Sequence, residues 1–468
     1  MPRIDSARLF GFTAIVERTQ RAVVIGASLA GLLAARALSG HFDEVLILER
    51  GDVPDSDRHR KETPHTRHAH GLLARGWQAL EAMFPGIGDE WVGAGGRVGD
   101  LQRQVPFYAG RRRFALGTAG VSGMAVGRVV IEGSVRRRVL ALPGVQLVTG
   151  CEVPALEWSA DGQRVTGVRV RAEGREIGLP ASLVVDASGR ASHLPQWLGA
   201  AGFEAPEEER IACDIRYATA YFERQPGELP DVEVVLCSAT ADCPLPGVLL
   251  GQEGDRWVIT LGGYGRDIPP LDRPGFVQRA CQMAPEIAAV ALAGRFVADP
   301  IGYRFPHSQR RRYERLRRFP EGLLAIGDAL CSFNPIYGQG MTVAACQAER
   351  LRECLAQGGR HLASRYFKAA ARIIDTAWTT AAGADLSIPA VPGARPLPVR
   401  LINAYVARVQ RVAHRDPAVA LAFLKVAHLL DEPPSLMRPA ILARVFRPAP
   451  LDRGDAERAM TPEQPLAH

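Results

Sequence analysis

Residues 22–31 read Ala22-Val23-Val24-Ile25-Gly26-Ala27-Ser28-Leu29-Ala30-Gly31, and the chain runs on through Leu32 to Leu38. An apolar run of strand type meets a glycine turn and then an Ala/Leu-rich segment of helical character. Gly26 permits the tight turn, and Gly31 lets the helix pack closely on the strand. The N–H groups at the helix start, around Ser28 and Ala30, then face a pyrophosphate. A second strand, Val45–Leu48, ends in Glu49-Arg50, with the acid eighteen residues beyond Gly31. A carboxylate at that distance accepts hydrogen bonds from an adenosine ribose. Strand, turn, helix, strand and acid in this order predict a dinucleotide-binding β-α-β unit over residues 20–50. The plainer alternative is a Gly-rich turn in an ordinary α/β domain.

A second glycine-rich strand end follows much later, at Leu323-Leu324-Ala325-Ile326-Gly327-Asp328. It leads through Ser332-Phe333-Asn334-Pro335-Ile336-Tyr337-Gly338-Gln339-Gly340-Met341 into a helix. Asp328 suits the hydroxyls of a sugar-like chain, and Gly338 and Gly340 let backbone approach a flat ring. A helix start beyond Gly340 turns its positive end to where a reduced flavin develops negative charge. These features point to FAD rather than NAD as the resident cofactor; a Gly/Pro loop capping a helix is the alternative.

With 468 residues the chain is long enough for two or three domains with large cores. Hydrophobic content of 47% and charged content of 23% place it among globular proteins. The net charge is +7, with arginine runs at 111–113, 136–138 and 310–312. The runs are scattered and lack an aromatic stacking motif, so they read as solvated faces rather than a nucleic-acid surface. Eight cysteines without a C-x-x-C pair fit reduced thiols in a cytoplasmic protein. No signal peptide and no apolar run of membrane-spanning length is visible.

Residues 1–19 read as a loose extension. Four of the eleven histidines fall between positions 59 and 70. Without a second Cys/His group to complete a shell, the reading is a loop of polar donors beside the cofactor, with no metal. A helix is expected from about Leu72 to Phe84.

In this block Arg60-Lys61-x-x-Pro64-x-x-Arg67-His68-x-His70-x-Leu72-Leu73, then Gly76, Leu80-Glu81 and Phe84-Pro85-Gly86, resembles the flavin-dependent epoxidases of bacterial polyether biosynthesis. These are relatives of squalene epoxidase and, more distantly, of the aromatic-hydroxylase flavoproteins. The resemblance covers about residues 20–446. It implies an α/β (α+β overall) fold in which a Rossmann-like FAD-binding domain carries an inserted antiparallel substrate sheet. FAD-domain segments are expected at 20–96, 128–198 and 300–356. Substrate-domain strands are expected at 97–127 and 199–299, with a helical C-terminal region at 357–447.

The resemblance places Arg60 and Lys61 near the cofactor. It places Arg128 there too, at the start of a helix running towards Leu142, although a surface arginine is a competing reading. Val145–Val148 and 167–170 read as strands of a β-meander. Leu183-Val184-Val185-Asp186-Ala187-Ser188-Gly189-Arg190 resembles the Asp-Gly segment of flavin hydroxylases, whose strand end lies close to the dinucleotide, which marks Asp186. The strands near 215–222, 232–237, 247–250 and 257–262 would roof a substrate cavity. Tyr217 and Trp257 there are candidates for its lining or for the core, and Phe333 and Tyr337 are candidates from the loop. That loop, with Asn334, Pro335, Gly338, Gly340 and Met341, would line the reaction site. Past Gln357 the pattern is helical, either a cap over the substrate domain or a peripheral membrane contact, and the tail from Pro448 reads as disordered.

The implied activity is monooxygenation. Reduced FAD reacts with O₂, and a C4a-hydroperoxide inserts one oxygen atom, by epoxidation or hydroxylation, into an apolar alkene or electron-rich aromatic metabolite. No second nucleotide-binding unit is visible, so electrons would come from transient NAD(P)H docking or from a separate flavin reductase. The alternatives are a C=C reductase of the geranylgeranyl-reductase type and a non-catalytic FAD-binding protein. The halogenase pattern W-x-W-x-I-P is absent, and Lys61 is the only lysine in the first 367 residues.

Overall fold

The computed structural model describes residues 3–4, 20–53 and 67–447. Arg60, Lys61, His65 and the tail from Pro448 lie outside the described residues.

Two sheets organise the chain. The first has six parallel strands in the order Arg3–Ile4, Val145–Val148, Glu44–Leu48, Arg21–Ile25, Leu183–Asp186 and Leu323–Ala325. Its central strands are continuous apolar runs: Ala22, Val23, Val24, Leu46, Ile47, Val184 and Val185 are all fully buried. Such runs are what a parallel sheet covered on both faces requires. The helices Leu29–Leu38, Arg128–Leu140 and Gln339–Ala356 share its core. So does an antiparallel meander of Cys151–Trp158, Val165–Ala172 and Arg175–Pro180, through Leu156, Val168, Val170 and Leu179.

Two expectations change here. Val145–Val148 belongs to the parallel sheet beside Glu44–Leu48, not to the meander. A four-residue, mainly apolar segment does not distinguish these partners; the crossover helix before it decides. The N-terminal stretch expected to be loose contributes Arg3–Ile4 as an edge strand against Leu147 and Val148.

The second sheet has seven strands, in the order Ile301–Phe305, Ile215–Glu223, Arg256–Tyr264, Gly247–Gln252, Val234–Ser238, Phe107–Ala109 and Arg112–Arg113. All its pairs are antiparallel except Val234–Ser238 with Phe107–Ala109. Its two faces differ. Ala218, Ala220 and Phe222 pair with Leu261, Ile259 and Trp257, and all six pack with Phe276, Ile287 and Val290 from two short covering helices. The alternate residues Tyr217, Thr219 and Tyr221 pair with Gly262, Thr260 and Val258 on the opposite face.

The C-terminal helices Leu397–Ala413 and Pro417–Ala427 close the free edge of this sheet. Phe107, Phe114 and Phe423 meet there with ring centroids 4.8–5.5 Å apart. Among the described residues, no helix is long and apolar enough to cross a membrane.

Candidate active site

One cavity of about 1760 Å³ runs from the ends of the first sheet's strands to the second sheet and the C-terminal helices. That exceeds the volume typical of a single small-ligand pocket and leaves room for a dinucleotide and a second molecule.

The nucleotide end is built by the first β-α-β unit. Gly26 has φ +103°, and a Cβ added to Gly31 would sit 1.9 Å from the Gly26 carbonyl oxygen, so strand turn and helix touch through bare backbone. Gly26, Ser28, Ala30, Glu49 and Arg50 all line the cavity, while Gly31 lies behind it as the packing glycine. Glu49 Oε2 accepts the Ala27 N–H at 2.9 Å and Oε1 accepts the Gly51 N–H at 3.0 Å, which fixes the carboxylate across the turn.

Several helices open on the cavity without a side-chain cap, among them Leu29–Leu38 after Ser28 and Gln339–Ala356 after Gly338, which is left-handed at φ 63°. The outer helix Pro417–Ala427, by contrast, is capped by Asp416, which accepts from Ala418 and Val419. Uncapped first turns leave N–H donors and positive dipole ends facing the cavity. Gln339, also on the cavity wall, has a buried Oε1 with no hydrogen-bond partner among the described residues. A Cβ added to Gly340 would meet nothing within 4 Å. Free donors, an unmet acceptor and open space beside a glycine fit a bound flavin dinucleotide, with Glu49 at its ribose.

Asp328 lies between these ends. Its accessible surface opens into the cavity rather than to bulk water, and protein encloses it, so burial raises its carboxyl. The charges of Arg128 and Arg190 and a hydrogen bond with Ser332 oppose that rise. Arg128 lines the cavity with Glu132 3.4 Å from its Nε. Arg190 lies over the Phe305 ring at 4.7 Å and donates to Ser332 at 3.2 Å.

Of the loop residues, Phe333, Pro335, Tyr337, Gly338, Gly340 and Met341 line the cavity. Asn334 does not: it is fully buried behind the loop as its fastener. Its Oδ1 accepts Tyr217 Oη at 2.8 Å and the Ile336 N–H at 3.2 Å, its N–H donates to Ser308, and its Nδ2 donates to Asp385 at 2.8 Å.

Two further candidates are displaced. Asp186 is fully buried and spends its oxygens on the Ser188 N–H and hydroxyl and on the Ser192 hydroxyl, holding the turn that presents Ala187–Arg190. Trp257 is on the helix-covered face of the second sheet. It is fully buried against Phe222, donates to Glu228 at 3.2 Å and lies under the Arg224 guanidinium at 4.0 Å. Strand parity puts it opposite Tyr217, which does face the cavity. Gly327, with φ +68°, lies beneath the site, where an added Cβ would meet Ala30 at 2.5 Å.

Sequence reading missed several residues. His68 reaches the wall with Nδ1 2.8 Å from Thr219 Oγ1, which is 2.6 Å from Thr260 Oγ1, so His68 is pinned to the sheet. His428 also lines the cavity; its Nδ1 accepts the Ala74 N–H, and burial pulls it down to about 4. Among the described residues, no cluster of His, Cys, Asp or Glu is arranged to hold a metal ion. Tyr264 and Tyr303 line the cavity as well, and burial pushes the hydroxyls of Tyr217, Tyr264 and Tyr337 well above their usual range, which keeps them protonated donors.

No family model matches the chain. It is 36% identical over 433 residues to Protein Rv3254 of Mycobacterium tuberculosis, covering 88% of this chain and 90% of that protein. PqsL, a probable FAD-dependent monooxygenase from Pseudomonas aeruginosa, superposes with TM-score 0.60 at 17% identity, over 79% of this chain and 97% of that one. The tetrameric form of 2-methyl-3-hydroxypyridine-5-carboxylic acid oxygenase gives 0.58 at 18%, over 88% and 98%. The flavin-dependent brominase Bmp2 gives 0.61 at 16%, over 87% and 92%. The chain thus belongs to the family of Protein Rv3254 and has the fold of the FAD-dependent monooxygenases.

Proposed function

We propose that the protein is an FAD-dependent monooxygenase that places one oxygen atom from O₂ into an electron-rich carbon of a largely apolar small molecule, by epoxidation or hydroxylation. The observation that carries this reading is the continuity of the cavity. The same space meets Glu49, the uncapped starts of helices Leu29–Leu38 and Gln339–Ala356, Asp328 and the apolar loop and sheet faces.

FAD, when bound, supplies the activation of O₂ and the transfer of one oxygen atom. The chain's own residues do the rest. Glu49 holds the ribose hydroxyls and the Ser28–Leu29 turn the pyrophosphate, while Asp328 and Arg128 take the polyol and its phosphate end. The first turn after Gly338 stabilises negative charge on the ring edge through its N–H groups. Phe333, Tyr337, Leu250 and Val248 form the dry wall that excludes water and orients the substrate. NAD(P)H docking transiently, or a flavin reductase, is the source of electrons in this reading.

Labelled oxygen tests it. The purified protein is supplied with reductant and screened against apolar alkenes and phenols under ¹⁸O₂. Product carrying one heavy atom is expected. Product formed anaerobically, or with oxygen from water only, would move the protein into the reductase class.

A further inference from the structure

The three arginine runs of the sequence meet different fates. Arg137 and Arg138 both pair with Glu90. Arg310, Arg311 and Arg312 are tied to Asp375, Glu208, Glu209 and Glu314. These two runs are therefore built into ion-pair networks rather than left as solvated faces. The third run lies at the cavity. Arg113 reaches Glu286 at 3.9 Å, but Arg111 and Arg112, both exposed and both on the cavity wall, have no ion pair among the described residues.

A third cation joins them. Arg411, in the last turn of helix Leu397–Ala413, is exposed, lines the cavity and likewise has no ion pair among the described residues. The helix end and the hairpin are fastened together. The Ala115 N–H donates to the Ala413 carbonyl at 2.8 Å, and His414 Nδ1 lies 3.0 Å from the Arg113 carbonyl oxygen. The Phe114 and His414 rings meet edge-on at 5.4 Å. Burial lowers the His414 imidazole, the hydrogen bond with the Arg113 carbonyl opposes this, and the Arg112 charge adds to the lowering. Asp242, on the neighbouring loop, is the one carboxylate of that loop on the wall, and it pairs with none of the three.

Inward from this rim the wall is largely apolar, with Arg400, Asn403 and Gln410 the helix's polar contributions. The helix turns Val399, Ile402, Val406 and Gln410 to the cavity at helical spacing, faced by Phe107 and Leu236 from the sheet. From Val399 to Gln410 that stripe is roughly 16 Å long at the helical rise. A largely apolar trough ending in guanidinium groups that have no ion pair among the described residues matches an amphiphile, because arginine forks bind carboxylate and phosphate oxygens with paired hydrogen bonds.

We propose that Arg111, Arg112 and Arg411 form the recognition site for the anionic head, a carboxylate or phosphate, of a substrate whose apolar body lies along helix Leu397–Ala413. This rests on reading the cavity as the substrate site, and it narrows the substrate from an apolar metabolite to an amphiphilic anion.

The test uses FAD-loaded full-length protein and three probes of one chain length: decanoate, decyl phosphate and decanol. Binding is followed by calorimetry and by perturbation of the flavin spectrum. Decanoate or decyl phosphate should bind about tenfold or more tightly than decanol, with an affinity that falls as salt rises. The tighter of the two identifies the head group. Arg112→Ser/Arg411→Ser, both at exposed positions, should erase the preference and leave decanol binding, FAD content and melting temperature unchanged. Equal binding of decanol and the anions, a preference that survives in the double variant, or no binding of any probe would overturn the proposal. Failure of the monooxygenase reading shows separately, as loss of FAD or of labelled-oxygen incorporation, and calorimetry on flavin-free protein still reports the rim.

Discussion

The Tyr337 hydroxyl donates to Asp385 Oδ1 at 2.7 Å, and among the described residues that carboxyl has no cation to balance it. Among the described residues, Asn334 Nδ2 supplies the one other bond to this carboxyl, at 2.8 Å, and Oδ2 is buried with no partner. Asp385 is fully buried, and burial raises it to about 6, against the two hydrogen bonds that lower it. Its folded value lies above the ordinary 3.8, so the fold favours the protonated acid. Its contribution to stability is full below the ordinary value and is lost as pH rises through about 6.

Asp385→Asn keeps an Oδ1 acceptor for Tyr337 and Asn334 and removes the charge. It should raise stability at pH 8 by up to about 3 kcal/mol and have little effect near pH 4. Denaturant midpoints at the two pH values decide it. Destabilisation at pH 8, or the same shift at both, would show that Asp385 is held as a carboxylate.

Trp257→Ala separates core from site. The side chain lies on the covered face with Phe222 and Phe276, and its loss should cost roughly 3–5 kcal/mol. FAD retention in the folded variant should be unchanged. A variant of wild-type stability with altered ligand binding would return Trp257 to the cavity.

Two glycines should behave oppositely on substitution. Gly31→Ala drives a methyl into the Gly26 carbonyl, so stability should fall by about 1–3 kcal/mol, and FAD affinity should fall with it. Gly340→Ala points a methyl into open space. The flavin-free protein should be as stable as wild type or more so, by up to about 1 kcal/mol, while flavin binding weakens. Melting curves with and without FAD read both effects. Equal flavin affinity in Gly340→Ala and wild type would remove this glycine from the cofactor's surface.

Three strands of the first sheet were legible because they are continuous apolar runs that end in Gly26, Glu49 and Gly327-Asp328, whereas Arg3–Ile4 and Val145–Val148 carry no such end signal. The period of two within Ile215–Glu223 and Arg256–Tyr264 also separates Tyr217 from Trp257, but only once the register is known, and that depends on the pairing of distant strands. Asn334 was expected at the reaction site and Asp186 close to the dinucleotide, and neither lines the cavity. Their direction, inward to fasten loops rather than outward to a ligand, is set by Asp385, Ser308, Ser188 and Ser192. Asp385 carries no local motif: it lies within a long helix, and only the fold brings it to a loop 51 residues away. The arginine runs looked alike in sequence because their acids are distant in the chain, as with Arg312 and Glu209.

The central claim is that one FAD spans the two half-sites, with Glu49 at its ribose and Asp328 at its polyol. Flavin released by denaturing purified, FAD-reconstituted protein measures this directly, in wild type, Glu49→Ala and Asp328→Ala. Wild type should release stoichiometric, non-covalent FAD. Each variant should hold it more weakly by about 1.5–3 kcal/mol for each charge-assisted bond lost. A wild-type protein that retains no flavin, or variants that retain FAD with wild-type affinity, would contradict the account.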